Sequence, residues 1–219
     1  DFLESLLPYM ERPQNASQSQ EWDFDNFVFI IHELFLYLIA ILIKNKKFEW
    51  ANIIFEQRYY LQGNSNYGKD VMVDFVSFIK FMRSLQHRND RLKLRRLSLR
   101  ADLLKERSLG TGFDFTELMQ ADFILFLRAE IDSKSDWGTW WPETLLYLGH
   151  FHSAFEIFAR ASSENYFSRI KCLLGIQKKE DLEALLKAYK DGTRQLPRWE
   201  FNSFSPTVLT GYEQLATRA

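Results

Sequence analysis

Between Arg83 and Arg107 the chain carries ten basic residues in 25 positions: Arg83, His87, Arg88, Arg91, Lys93, Arg95, Arg96, Arg100, Lys105 and Arg107. On one continuous helix, at 100° per residue, Lys93, Arg96, Arg100 and Arg107 fall within an arc of about 60°, and Arg88, Arg91 and Arg95 form a second row. Guanidinium groups are planar, always charged and suited to gripping phosphate or carboxylate oxygens in pairs. Such an edge could hold a phosphate backbone, a nucleotide or an acidic protein. The competing reading is charge balance inside the fold. Asp90, Asp102 and Glu106 lie on the same segment, and two leucine stripes flank the arginines.

The second candidate is Trp137-Gly-Thr-Trp140-Trp141-Pro142. Three indoles ahead of a helix start can anchor a partner, because Trp dominates interface hot spots. They can equally seal the edge of a core. Little else has the spacing of a reactive site. His150 and His152 are two apart, wrong for one helix face, and no Cys or close carboxylate completes a metal set. Asp114, Glu117, Asp122 and Asp132 are scattered, Gly110-Thr-Gly112 is too short for a phosphate loop, and no Gly-x-Ser-x-Gly or Gly-Lys-Ser/Thr motif occurs. The residues therefore point to a non-catalytic chain with no metal and no cofactor.

The elements that must position these groups read as helices. The chain has 219 residues, and its 20 Phe, 9 Tyr and 6 Trp within 46% hydrophobic content are ample for a core. Its formal net charge of −1 gives no global field toward nucleic acid or anionic membrane. A single cysteine, Cys172, excludes an internal disulfide and fits a reducing, cytoplasmic setting. Asp1-Phe-Leu-Glu reads as the interior of a longer protein. The 17 apolar-rich residues from Phe27 to Ile43 carry His32 and Glu33 at their centre, which suits a buried core helix better than a membrane span of about 20 residues.

Along the chain, residues 2–11 form a short amphipathic piece broken by Pro8, and 12–20 a polar, mobile linker. Helices are expected from Asp23 or Asp25 to Asn45, from Phe48 to Leu61, and from Lys69 or Asp70 to Met82. Residues 83–107 show strand-like alternation at Arg91-Leu-Lys-Leu-Arg, but no turn residue divides them, so one helix is expected there. Further helices are expected at 115–130, 142–148, 151–162, 163–174 and 179–189, the last two stopped by Gly175 and by Asp191-Gly192. The aromatic tail from Thr193 should dock back on its own domain with one short helix. No sheet is required.

Two segments share the frame Phe-x-x-Ala-x-x-x-Phe: Phe48, Ala51, Phe55 and Phe151, Ala154, Phe158. On a helix these put a small residue between two rings on one face, which lets a neighbouring helix approach closely. The second copy extends from Gly149 to Ala161 and resembles the turn and second helix of a tetratricopeptide repeat. Lys46 replaces the turn glycine in the first copy, and Pro142 falls inside the first helix of the second unit. The resemblance implies stacked antiparallel helix pairs with a concave face for peptides or partner domains.

The expectation is thus an all-α fold of about 8–10 helices, stacked as antiparallel hairpins, irregular or repeat-like, with an irregular C-terminal arm. Residues 1–21 precede a single domain, 22–219, divisible into sub-lobes 22–108 and 113–219. The expected function is a helical interaction, sensing or oligomerisation module of a larger protein. Its contacts would be Arg88, Arg91, Lys93, Arg95, Arg96, Arg100 and Arg107, or the anchor Trp137, Trp140 and Trp141. The alternative is a nucleic-acid or nucleotide-binding domain using Arg88 to Arg107. Protein partners or self-association are expected, and no membrane.

Overall fold

The computed structural model describes residues 2–11, 20–61, 71–132, 140–149, 153–199 and 203–219. Helix α1 (Phe2–Leu6) runs into a 3₁₀ turn, Leu7–Met10, where Pro8 sits in the first turn without losing a needed N–H. A second 3₁₀ turn, Glu21–Phe24, leads into the long helix α2 (Asp25–Lys44). Lys46, at a left-handed φ of 57°, reverses the chain into α3 (Phe48–Glu56).

The chain is mostly helical, as its composition and periodicity imply, but it contains a two-stranded antiparallel sheet that was not expected. Helix α3 stops at Glu56 because Gln57 is extended, and β1 (Tyr59–Leu61) pairs with β2 (Val71–Val73). Tyr-Tyr-Leu and Val-Met-Val are aromatic and β-branched triplets that fit a pleated surface better than a helix. The helix expected from Lys69 or Asp70 is therefore replaced by β2 and a 3₁₀ turn, Phe75–Phe78, capped by Asp74 accepting the Val76 N–H at 3.1 Å.

The helix expected over 83–107 is two helices, α4 (Arg83–Arg91) and α5 (Leu99–Ser108). Two polar side chains make the break. Asn89 Oδ1 accepts the Arg96 N–H at 3.1 Å while its Nδ2 donates to the Arg96 carbonyl at 2.7 Å. Ser98 then caps α5 by accepting the Ala101 N–H at 3.0 Å. Between them Lys93 and Arg95 adopt φ of 50° and 55°.

Helix α6 (Phe115–Asp132) opens with a reciprocal cap: Asp114 accepts the Thr116 N–H and Glu117 accepts the Asp114 N–H. After a 3₁₀ turn, Glu143–Tyr147, come α7 (Glu156–Arg160), α8 (Glu164–Leu174), α9 (Lys179–Lys190) and α10 (Pro206–Thr210). The helix expected over 151–162 is shortened to α7, because Phe155 is extended; Phe151 lies outside the described residues. Gly175 ends α8 at a left-handed φ of 68°, and a Cβ there would come within 2.7 Å of the Arg128 guanidinium.

The buried apolar side chains form one cluster running from Leu3 to Leu215. Helices α2 and α6 lie against each other at its centre, and Phe35 of α2 stacks on Phe78 of the 3₁₀ turn at 4.5 Å. The first aromatic–alanine frame works as its spacing predicts. Phe48, Ala51 and Phe55 are all buried, α8 packs over them, and Phe48 meets the Tyr166 ring edge-on at 5.9 Å. Arg128 joins three helices at this contact, bonding Asp132 on α6, Asn52 on α3 and the Cys172 carbonyl on α8. Trp199 and Phe204 of the tail are buried, Phe204 against Phe126.

Candidate functional site

The break at 92–98 disperses the predicted cations. Lys93, Arg96, Arg100 and Arg107 do not share a face, because α5 alone carries Arg100 and Arg107 while the first two lie in the loop. Arg96 makes two bonds to Asp102, at 2.7 and 2.9 Å, and a third to the Tyr147 hydroxyl. Those bonds raise the Arg96 pKa, and Arg96 in turn is the main cause of Asp102's lowered value. Arg107 clasps Glu33 of α2. Arg88, Arg91, Lys93 and Arg95 remain exposed and form no ion pair among the described residues. Arg88 and Arg91 border a shallow depression with Trp22, whose ring lies 4.9 Å from that of His87.

The predicted Trp anchor also divides. Trp137 lies outside the described residues. Trp140 is core, its indole N–H donating to Asp122 Oδ1 at 2.7 Å, so it is unavailable to a partner. Trp141 is 44% exposed and meets Trp199 at 6.0 Å and 79°.

Arg100 and Trp141, from the two separate candidate segments, meet at one pocket of about 130 Å³ between α4, the 92–98 loop, the first turn of α5 and Trp199. Its rim is apolar, with Phe81, Leu97 and Trp141 exposed. Its floor is ionic. The buried Arg100 guanidinium donates to the Lys80 carbonyl and lies 3.7 Å from Glu143 Oε1, while the Ser98 hydroxyl donates to Glu143 Oε2. Near Arg100 lies the buried His32 imidazole, neither nitrogen hydrogen-bonded among the described residues. Burial, and then the nearby Arg100, hold its pKa well below 6.5, so it is neutral. Asp122 accepts bonds from Trp140 and from both donors of Thr144, yet burial pushes its pKa up to about 6. Among the described residues no hydroxyl or thiol is hydrogen-bonded to His32, so they form no nucleophile–base pair with it. Among the described residues no group of three His, Cys, Asp or Glu side chains could hold a metal.

A second surface was missed by the sequence reading. Helix α2 is long and apolar enough to cross a membrane by length and composition alone, and just over half of it is buried in the fold. The expectation of a wholly buried core helix holds for one side only. Phe27, Ile30, Leu34 and Ile41 are 42–48% exposed, with Tyr37 partly buried between them. Their spacing of three and four residues places all five within about 80° of arc. The seam is present in the sequence, but apolar residues on every other face of α2 hide it. Tyr9 extends it at one end, its ring 6.2 Å from that of Phe27.

Comparison with known proteins returns no relative: no family model, no curated protein and no solved structure matches this chain.

Proposed function

We propose that this chain is a non-catalytic helical interaction module that pairs with a second copy of itself through α2. The observation that carries the reading is the apolar seam of α2, in which Phe27, Ile30, Leu34 and Ile41 are exposed and Tyr37 is partly buried among them. A three–four repeat over about 21 Å is the pattern by which one helix packs into the groove of another like it. The ends of the seam are complementary to each other. Asp23 is exposed in the 3₁₀ turn just ahead of α2, and Lys46 just past its end. In an antiparallel pair, Asp23 of one copy lies beside Lys46 of the other, whereas a parallel pair would set like charges together. A two-fold, self-complementary contact is the commonest oligomeric arrangement.

Stacked helix pairs are part of the same reading, supported by the short α2–α3 turn and the packing of α8 over Ala51. The nucleic-acid reading no longer has a stripe on one helix to rest on, although Arg88, Arg91, Lys93 and Arg95 stay exposed.

Sedimentation over a concentration series, at low and high salt, tests the proposal. The expected result is a dimer insensitive to salt that dissociates when Leu34→Glu is introduced, with the variant's helical signal unchanged. A wild-type chain that stays monomeric at every concentration overturns it. So does an assembly that forms only with co-purified nucleic acid and is lost in salt.

A further inference from the structure

The pocket between Trp141 and Trp199 carries an inference independent of how α2 pairs. We infer that it binds a weakly hydrated organic cation, the alkylated ammonium head of a small solute or of a methylated side chain, held against the exposed Trp141 indole where it meets Trp199, and over the Glu143 carboxylate.

The walls supply the first argument. The indole face carries negative potential and is the best aromatic partner for a cation, above all for a quaternary ammonium that has little hydration to lose. Trp141 and Trp199 stand 79° apart with centroids at 6.0 Å, so their faces bound a corner rather than a slot. Phe81, 74% exposed at the rim, adds a third ring.

The floor supplies the second. Two opposite charges line it, and their exposure decides which one a ligand meets. The Arg100 side chain is only 5% exposed, that of Glu143 21%. Glu143 Oε1 lies 3.7 Å from Arg100 Nη1, beyond hydrogen-bonding distance, and accepts no hydrogen bond from any described residue. The Lys80 ammonium is occupied by Glu11 and does not add a second cation.

Size is the third. A cavity of about 150 Å³ is known to admit benzene, so one of 130 Å³ takes a single compact head group and not a nucleotide. The strongly hydrated ammonium of an unmodified lysine gains less from an aromatic face than a trimethylammonium does.

Calorimetric titration with choline chloride tests this, alongside its uncharged carbon isostere 3,3-dimethylbutan-1-ol, sodium benzoate as a planar anion, and Nε-trimethyl-lysine. Choline should saturate one site, with the isostere at least about tenfold weaker, because the cation–π attraction is absent without charge. Trp141→Ala should weaken choline by a similar factor, and Trp141→Phe should restore part of it; both lie at the exposed rim and leave the core intact. Tighter binding of trimethyl-lysine assigns the ligand to a modified side chain, and tighter binding of choline to a free solute. Equal binding of the isostere, binding of benzoate in place of choline, or an unchanged Trp141→Ala titration overturns the inference. Leu34→Glu should bind choline as wild type does, which separates this result from the fate of the α2 pairing.

Discussion

Arg107 clasps the Glu33 carboxylate through two hydrogen bonds of 2.6 and 2.7 Å, fastening the last turn of α5 to the middle of α2. Glu33 is nearly buried, while about half of the Arg107 side chain stays in water over the Phe29 ring. A cation read from sequence as a candidate phosphate contact is thus the partner that permits a carboxylate inside an apolar helix.

Arg107→Ala leaves Glu33 without its donor. The expected loss is about 1–3 kcal/mol, toward the lower end because water reaches the Arg107 side of the pair. Urea unfolding of the variant measures it. If the charge served only an external ligand, stability would not change.

Asn89 determines where the basic segment breaks. Asn89→Ala removes both of its bonds to Arg96, for an expected loss of about 1–2 kcal/mol. Amide exchange is the sharper reading, since the Arg96 N–H loses its acceptor and its protection. An Arg96 amide as slow in the variant as in wild type would contradict the assignment.

The buried His32 and Asp122 give opposite pH limbs. The folded His32 stays neutral where the unfolded chain takes a proton near pH 6.5, so stability is full above that value and falls as pH drops below it. Asp122 has its pKa raised from 3.8 to about 6, so the folded chain takes up a proton first, and stability rises as pH falls through that window. His32→Leu removes only the first limb. It should also stabilise the neutral protein by about 1–3 kcal/mol, the cost of two unpaired buried nitrogens. Denaturation curves taken above and below pH 6.5 should show the gap between variant and wild type widening on the acid side. Parallel pH profiles would contradict this.

Much of the helical frame was legible because its signals are local. Gly175 and Asp191-Gly192 stop α8 and α9 where turn chemistry says they should, and Ala51 between Phe48 and Phe55 marks a close helix contact. The errors arose where tertiary partners decide. Tyr59-Tyr-Leu became a strand only because Val71-Met-Val pairs with it. Leu92 to Ser98 reads as helix until Asn89 offers the backbone an alternative partner. Of the candidate sites, Arg100 and Trp141 were both named, but nothing in their spacing of 41 positions shows that they share one pocket; Trp199 was expected only to dock with the aromatic tail, and Glu143 carried no signal. The α2 seam stayed hidden because contrast between faces, not hydrophobicity, is what marks an exposed stripe.

The most direct test of self-pairing through α2 is disulfide cross-linking of single-cysteine variants in a Cys172→Ser background. Leu34 is the midpoint of the seam, so an antiparallel two-fold pair sets it against its own copy, while Phe27 faces Ile41. Oxidation should link Leu34→Cys to itself, leave Ile41→Cys unlinked, and join a mixture of Phe27→Cys and Ile41→Cys. No cross-link at position 34, or self-linking at 41 as efficient as at 34, would contradict the account.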